Sequence, residues 1–224
     1  MSGQATAPWG AIFDWDGVII DSSHCHEESW ERLAREEGRP LPEGHFKKGF
    51  GRKNEVIIPE ILRWTNDAQD IARLSLRKEE LYRDVVRERG VEALPGARTW
   101  LERLRVAGVP CVIGSSTHRA NIELTLGGIG LAGFFQSIVS AEDVTQGKPN
   151  PEVFLKAAAR IGQIPGKCVV FEDAFAGLQA ARNGGMRCVA VASTNTAESL
   201  AGHADRIVHR LDEIQPAELA AWFS

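Results

Sequence analysis

Apolar runs and amphipathic helical stretches take turns along most of this chain, but its first third breaks the pattern. Residues 11–14 read as a strand, a short apolar run ending in Asp14. The next comparable strand signal is 109–114, after the turn-forming Gly108 and around Pro110. Nearly everything between them has the helical period. Residues 25–37 carry Trp30, Leu33 and Ala34 at helical spacing, and 56–64 and 71–86 repeat such patterns among many Arg and Glu. Ser22-Ser23 stands at the start of this stretch and Pro95-Gly96 punctuates its end. These features predict a helical module inserted on two short hinges, able to move against the rest.

Past the insertion the pattern becomes regular. Helix is predicted at 97–107, strand at 111–114, helix at 118–126, strand at 137–140 and helix at 151–161. Strand at 168–171, helix at 174–183 and strands at 187–192 and 206–208 complete it. Repeated βα units with apolar strands imply an α/β fold, a parallel sheet covered by helices on both faces. Chemistry in such folds gathers at the carboxyl ends of the strands.

Composition narrows the class of function. The chain has 224 residues, 43% hydrophobic and 25% charged, as in an ordinary soluble globular protein. Its formal net charge of -4 argues against a broad basic nucleic-acid surface, while leaving room for a local basic pocket. Cys25, Cys111, Cys168 and Cys188 form no C-x-x-C pair, so reduced thiols in a cytoplasmic protein are expected rather than zinc or disulfides. Residues 1–10 lack the pattern of a secretion signal, and no stretch reaches eighteen uninterrupted apolar residues, so no membrane partner is expected.

Residues 13–22, Phe-Asp-Trp-Asp-Gly-Val-Ile-Ile-Asp-Ser, hold the most chemical information. At period-two spacing Asp14 and Asp16 project from one side of an extended chain, where two carboxylates repel unless a cation or proton lies between them. A metal site, a carboxylate nucleophile or a solvated Asp-Gly turn would each account for the pair. Three further polar sites fall at predicted strand ends or their loops. Ser115-Ser116-Thr117 follows one strand, Lys148 lies in Gln-Gly-Lys-Pro-Asn-Pro, and Glu172-Asp173 follows another. Each alone has an ordinary explanation: helix N-cap, solvated lysine, or helix-dipole compensation. The run Gly128-Ile129-Gly130-Leu131-Ala132-Gly133 satisfies the dinucleotide-binding expression G-x-G-x-x-G, but it follows a helix and leads to a strand, so a helix C-cap and connector is the better reading.

Taken together, the four sites resemble the four motifs of the haloacid dehalogenase superfamily of phosphotransferases in type, order and strand-end context. The resemblance covers essentially the full length and implies a Rossmann-like doubly wound core of residues 1–21 and 94–224 with a helical cap of residues 22–93. It implies that Asp14 attacks the phosphorus of a phosphomonoester to give an aspartyl-phosphate, and that Asp16 serves as general acid and then general base. Ser115, Ser116 and neighbouring amides would bind the phosphoryl group, with Lys148 balancing charge near Asp14. A Mg2+ ion is the expected cofactor, with Asp14 and Asp173 as side-chain ligands, the Asp16 main-chain carbonyl as a third, and Glu172 supporting or coordinating.

The insertion supplies His26, Lys47, Lys48, Arg52 and Lys78 as polar residues without an evident structural task. The surroundings of His26, Arg52 and Lys78 resemble the cap of the β-phosphoglucomutase branch, which marks them as substrate-contact candidates. Arg52 is the strongest of them, because a guanidinium can bind a phosphate through two donors. The expected activity is hydrolysis of a small phosphorylated metabolite, a sugar phosphate being favoured. A sugar phosphomutase is the alternative, if the cap excludes water and presents a hydroxyl. A non-catalytic phosphometabolite-binding protein is third, and the intact Asp14, Asp16 and Lys148 speak against it. A monomer is compatible with the sequence.

Overall fold

The computed structural model describes residues 8–49 and 51–224, so most of the N-terminal stretch read for a secretion signal lies outside the described residues. The strands β1 (Gly10–Phe13), β2 (Cys111–Gly114), β3 (Ser137–Val139), β4 (Cys168–Glu172), β5 (Arg187–Val191) and β6 (Arg206–Val208) form one sheet. Their order is β3-β2-β1-β4-β5-β6, and every pairing is parallel. Crossing from β3 to β6, the order turns at β1 and β4, the switch point where open α/β sheets place their ligands.

Helices α1 (Ser23–Glu37), α2 (His45–Gly49), α3 (Asn54–Val56) and α4 (Ala68–Arg89) fill the interval after β1. The chain then continues through α5 (Ala97–Val106), α6 (Arg119–Gly128), α7 (Glu152–Arg160), α8 (Phe175–Asn183), α9 (Ala197–Leu200) and α10 (Pro216–Ala220). Alternate strand residues feed two cores. Phe13, Ile113 and Phe171 pack with Trp100 and Leu104 of α5 on one face, while Ile12, Val112 and Val170 pack with Phe154 of α7 and Leu178 of α8 on the other. This burial of both faces is why the strands read as continuous apolar runs. The insertion has its own core, in which Trp30 and Leu33 of α1 meet Leu74 and Leu81 of α4.

The helix expected at 56–64 takes a different form. Residues Ile57–Leu62 make a π-helical turn that ends on Arg63, a left-handed residue with φ of 56°. Pro59 lies inside this turn; it has no N–H and its ring clashes with the preceding turn, so an ordinary α ladder cannot pass through it. The glycine-rich run 128–133 is the end of α6 and a connector, with Leu131 N donating to Leu126 O. All four cysteines are buried and free. Among the described residues no helix is long and apolar enough to cross a membrane.

Candidate active site

Asp14 is the first residue past β1, and its amide still donates to Phe171 O of β4 at 3.0 Å, so the sheet itself fixes its main chain. Its side chain is buried beside Lys148, whose Nζ lies 2.9 Å from Asp14 Oδ1 and 2.7 Å from Glu172 Oε1. Burial would pull the Lys148 ammonium down, but the two carboxylates outweigh it and push its pKa up. One ammonium faces three buried carboxylates here, since Asp173 lies in the same group. Burial, reinforced by the charges of Glu172 and Asp16 and opposed by Lys148, pushes the Asp14 carboxyl up to about 7. Asp173 is raised well above the usual range by burial and then by Glu172 and Asp14.

Asp16 has the opposite surroundings. Ser22 Oγ donates to its Oδ1 and Thr117 Oγ1 to its Oδ2, and His26 Nε2 stands 3.3 Å from Oδ1. On the far side of the imidazole, Lys78 Nζ lies 2.7 Å from His26 Nδ1. An ammonium only donates, so Nδ1 accepts and Nε2 carries the hydrogen that points at Asp16. Burial alone would raise the Asp16 carboxyl, yet His26 and the hydrogen bonds from His26, Ser22 and Thr117 prevail and lower it to about 2. Two buried carboxylates, two residues apart, are thus pushed in opposite directions by different partners.

Two glycines make room for this arrangement. Gly17 has φ of 76°, and a Cβ there would overlap the Asp173 carboxylate. Gly177, in the first turn of α8, lets that helix close over Glu172, whose carboxylate would overlap any Cβ at this position. Glu172 does double duty: one oxygen pairs with Lys148 and the other accepts from Ala174 N at 2.6 Å, just ahead of α8.

A cavity lies between the carboxyl edge of the sheet and the insertion, lined by Asp14, Asp16, His26, Arg52, Lys78 and Ser115 among others. Ser116 lines it as well. The Ser115 amide donates to Val139 O at 2.9 Å, which continues the β2–β3 pairing, and its hydroxyl oxygen accepts from Thr117 N at 3.2 Å. Arg52 is half exposed, with a 3.9 Å approach to Glu60 as its ion pair among the described residues. Lys78, by contrast, is buried, paired with Glu79 at 3.1 Å, and stands over the faces of Trp30 and Tyr82. Asp14, Asp16, His26, Arg52, Lys78, Ser115, Ser116, Lys148, Glu172 and Asp173 therefore border one cavity or the acidic group beside it, whereas Lys47 and Lys48 do not line the cavity, Lys48 Nζ donating to Glu43 O at 3.4 Å. The Asp16 carboxylate lies outside that acidic group, held instead by its hydroxyl donors.

The partners of these residues were less legible. Ser22 and Thr117 had appeared as a hinge residue and as part of a serine-threonine run, without a link to Asp16. Thr194 Oγ1 donates to Asp173 Oδ2, and Asn195 Nδ2 to Asp173 O at 3.0 Å. Both follow β5, so the strand-end rule could have found them. Glu79, Asn54 and Asn121 form a buried polar network between the insertion and α6 that no spacing announces.

Asp14, Asp173 and Glu172 each offer a carboxylate oxygen within 4.8 Å of the others, all buried. Asp14 Oδ1, although ion-paired, accepts no hydrogen bond of good geometry. Hard oxygen donors, excess negative charge and an unsatisfied buried acceptor fit a divalent cation.

A family model described as haloacid dehalogenase-like hydrolase matches residues 10–185. The chain belongs to this family. It is 39% identical over 213 residues, 94% of its length, to the chloroplastic 5-amino-6-(5-phospho-D-ribitylamino)uracil phosphatase of Arabidopsis thaliana, of which it spans 56%. It is 33% identical over 185 residues to the fructose-1-phosphate phosphatase YqaB of Escherichia coli (strain K12), covering 81% of this chain and 95% of that one. Among solved structures, β-phosphoglucomutase from Clostridium difficile superposes with a TM-score of 0.83 at 23% identity, covering 98% of this chain and 97% of that one, a likeness of fold. The haloacid dehalogenase-like chain is thus a phosphoryl-transfer enzyme whose named relatives favour hydrolysis.

Proposed function

We propose that this protein is a magnesium-dependent phosphatase that hydrolyses a small phosphorylated metabolite, with sugar phosphates the favoured class, through an aspartyl-phosphate on Asp14. The observation that carries the reading is the pairing of opposite environments: Asp14 among Lys148 and two further carboxylates, and Asp16 two residues away among three donors. The relatives named for a phosphoribityl compound and for fructose 1-phosphate support the substrate class. A cytoplasmic location agrees with four reduced, buried cysteines.

Asp14, Asp173 and Glu172, with the Asp16 main-chain carbonyl, are the groups that would hold the ion. Bound magnesium would screen the charge between an anionic nucleophile and an anionic phosphate. Asp14 attacks phosphorus, the bond to the leaving oxygen breaks, and Asp16 delivers a proton to that oxygen. At rest Asp16 is a carboxylate, so it must take up this proton as substrate binds; a nearby phosphate dianion raises its pKa in the required direction. The same group, once deprotonated, takes a proton from the water that attacks the phosphoryl-Asp14. Ser115 donates to the phosphoryl oxygens and Lys148 offsets their charge; losing one such donor costs about 3 kcal/mol in barrier, roughly a hundredfold in rate. Arg52, His26 and Lys78 face the leaving group.

The test quantifies two products. With β-glucose 1-phosphate, magnesium and a catalytic bisphosphate, and separately with a panel of sugar phosphates, phosphate release should exceed isomer formation. Rapid glucose 6-phosphate formation with little free phosphate would replace this reading with the mutase.

A further inference from the structure

Lys53 stands on the insertion between two residues with other tasks. Its neighbour Asn54 is anchored to α4, donating to Ser75 Oγ at 3.1 Å and Glu79 Oε1 at 2.6 Å, so the backbone here is fixed to the insertion. The Lys53 side chain leaves the insertion. Its Nζ donates to Ala141 O and to Val144 O, each at 3.0 Å, across to the core. Its stem lies on Gly147, where an added Cβ would meet Lys53 Cγ at 3.4 Å. The next residue is Lys148.

The loop from Ala141 to Gly147 is therefore held from two sides. From the core, the Glu152 carboxylate accepts from Thr145 N at 3.0 Å and Gln146 N at 2.9 Å. From the insertion, the Lys53 ammonium gathers two carbonyls of the loop. The first restraint belongs to the core alone; the second exists only while insertion and core are together. A charge-assisted pair of hydrogen bonds is strong enough to select one loop conformation.

We infer that Lys53 is a positioning residue: on closure of the cap, its ammonium fixes the loop preceding Lys148 and so sets that lysine's amine between Asp14 and Glu172. The inference rests on the phosphatase reading above for its catalytic consequence, but the loop restraint is measurable without turnover. It couples closure to chemistry, because an open cap withdraws the donor that holds the loop.

The full chain with magnesium and inorganic phosphate is compared by hydrogen–deuterium exchange as wild type, Lys53→Met and Lys53→Arg, alongside steady-state hydrolysis of p-nitrophenyl phosphate. Lys53→Met keeps the packing stem and removes the donors. It should quicken exchange in residues 141–148 while leaving α1 and α4 unchanged, and Lys53→Arg should restore protection. The kcat of Lys53→Met should fall about tenfold with KM within about threefold, and Lys53→Arg should recover most of it. Unchanged exchange in 141–148, exchange raised equally throughout α1 and α4, or kcat within about twofold of wild type would each overturn the inference. A wild type inactive on every phosphomonoester would reject the proposed function, and the exchange comparison would still decide whether Lys53 holds the loop.

Discussion

Asp14 and Asp16 show how little a residue type says without its neighbours. Asp16, lowered from 3.8 to about 2, contributes stability that is present above about 4 and lost as pH falls through 2. Asp14, raised from 3.8 to about 7, has the opposite sign: between those values the unfolded chain releases a proton that the folded chain retains, so stability declines as pH rises. With divalent ions chelated, the melting temperature should therefore fall between pH 5 and pH 8, and Asp14→Asn should flatten part of that fall; a parallel pH profile in the variant would contradict the assignment. Replacing Ser22 or Thr117 with Ala should raise the Asp16 pKa and move the alkaline limb of the activity profile upward, because each removes a donor to the Asp16 carboxylate and so favours the protonated acid that the first step needs. The acidic pair itself was legible in the sequence, since carboxylates after an apolar run are costly. The separation of their states was not, because it depends on Lys148 and Thr117, more than a hundred residues away.

At the scale of elements, the parallel strands and the helices between them follow from short apolar runs and helical patterns. Their boundaries agree to within a few residues because burial on both sheet faces leaves long apolar runs. What the pattern missed is short or irregular: α9 and α10 are too brief to show a period, and Pro59 turns a helical signal into a π-helical turn. Close approaches were also invisible. Gly177→Ala would place a methyl group against Glu172, and either α8 or the carboxylate must shift. We expect it to lower kcat at least about tenfold and to cost on the order of 1–3 kcal/mol in stability, measured by urea unfolding. Wild-type kinetics in this variant would show that the Glu172–Lys148 pair is not critical to rate.

For the whole molecule, the cluster of three buried carboxylates and one ammonium predicts that a divalent cation stabilises the folded chain. Magnesium competes with protons for these oxygens, so its stabilising effect should grow as pH rises from 5.5 to 8. Thermal shift with and without the ion checks this, and a pH-independent shift would point to binding elsewhere. The helices between β1 and β2 follow the helical period of the sequence, whereas the buried polar network of Glu79 and Asn54 with Asn121 of α6 has no such signal. The most direct measurement concerns Asp14 itself. Asp16→Asn protein, mixed with magnesium and p-nitrophenyl phosphate, whose leaving group departs without a proton from Asp16, and quenched in acid, should carry one covalent phosphate on the peptide containing Asp14, and Asp14→Asn protein none. No bound phosphate under turnover conditions, or phosphate on a different residue, would contradict the account.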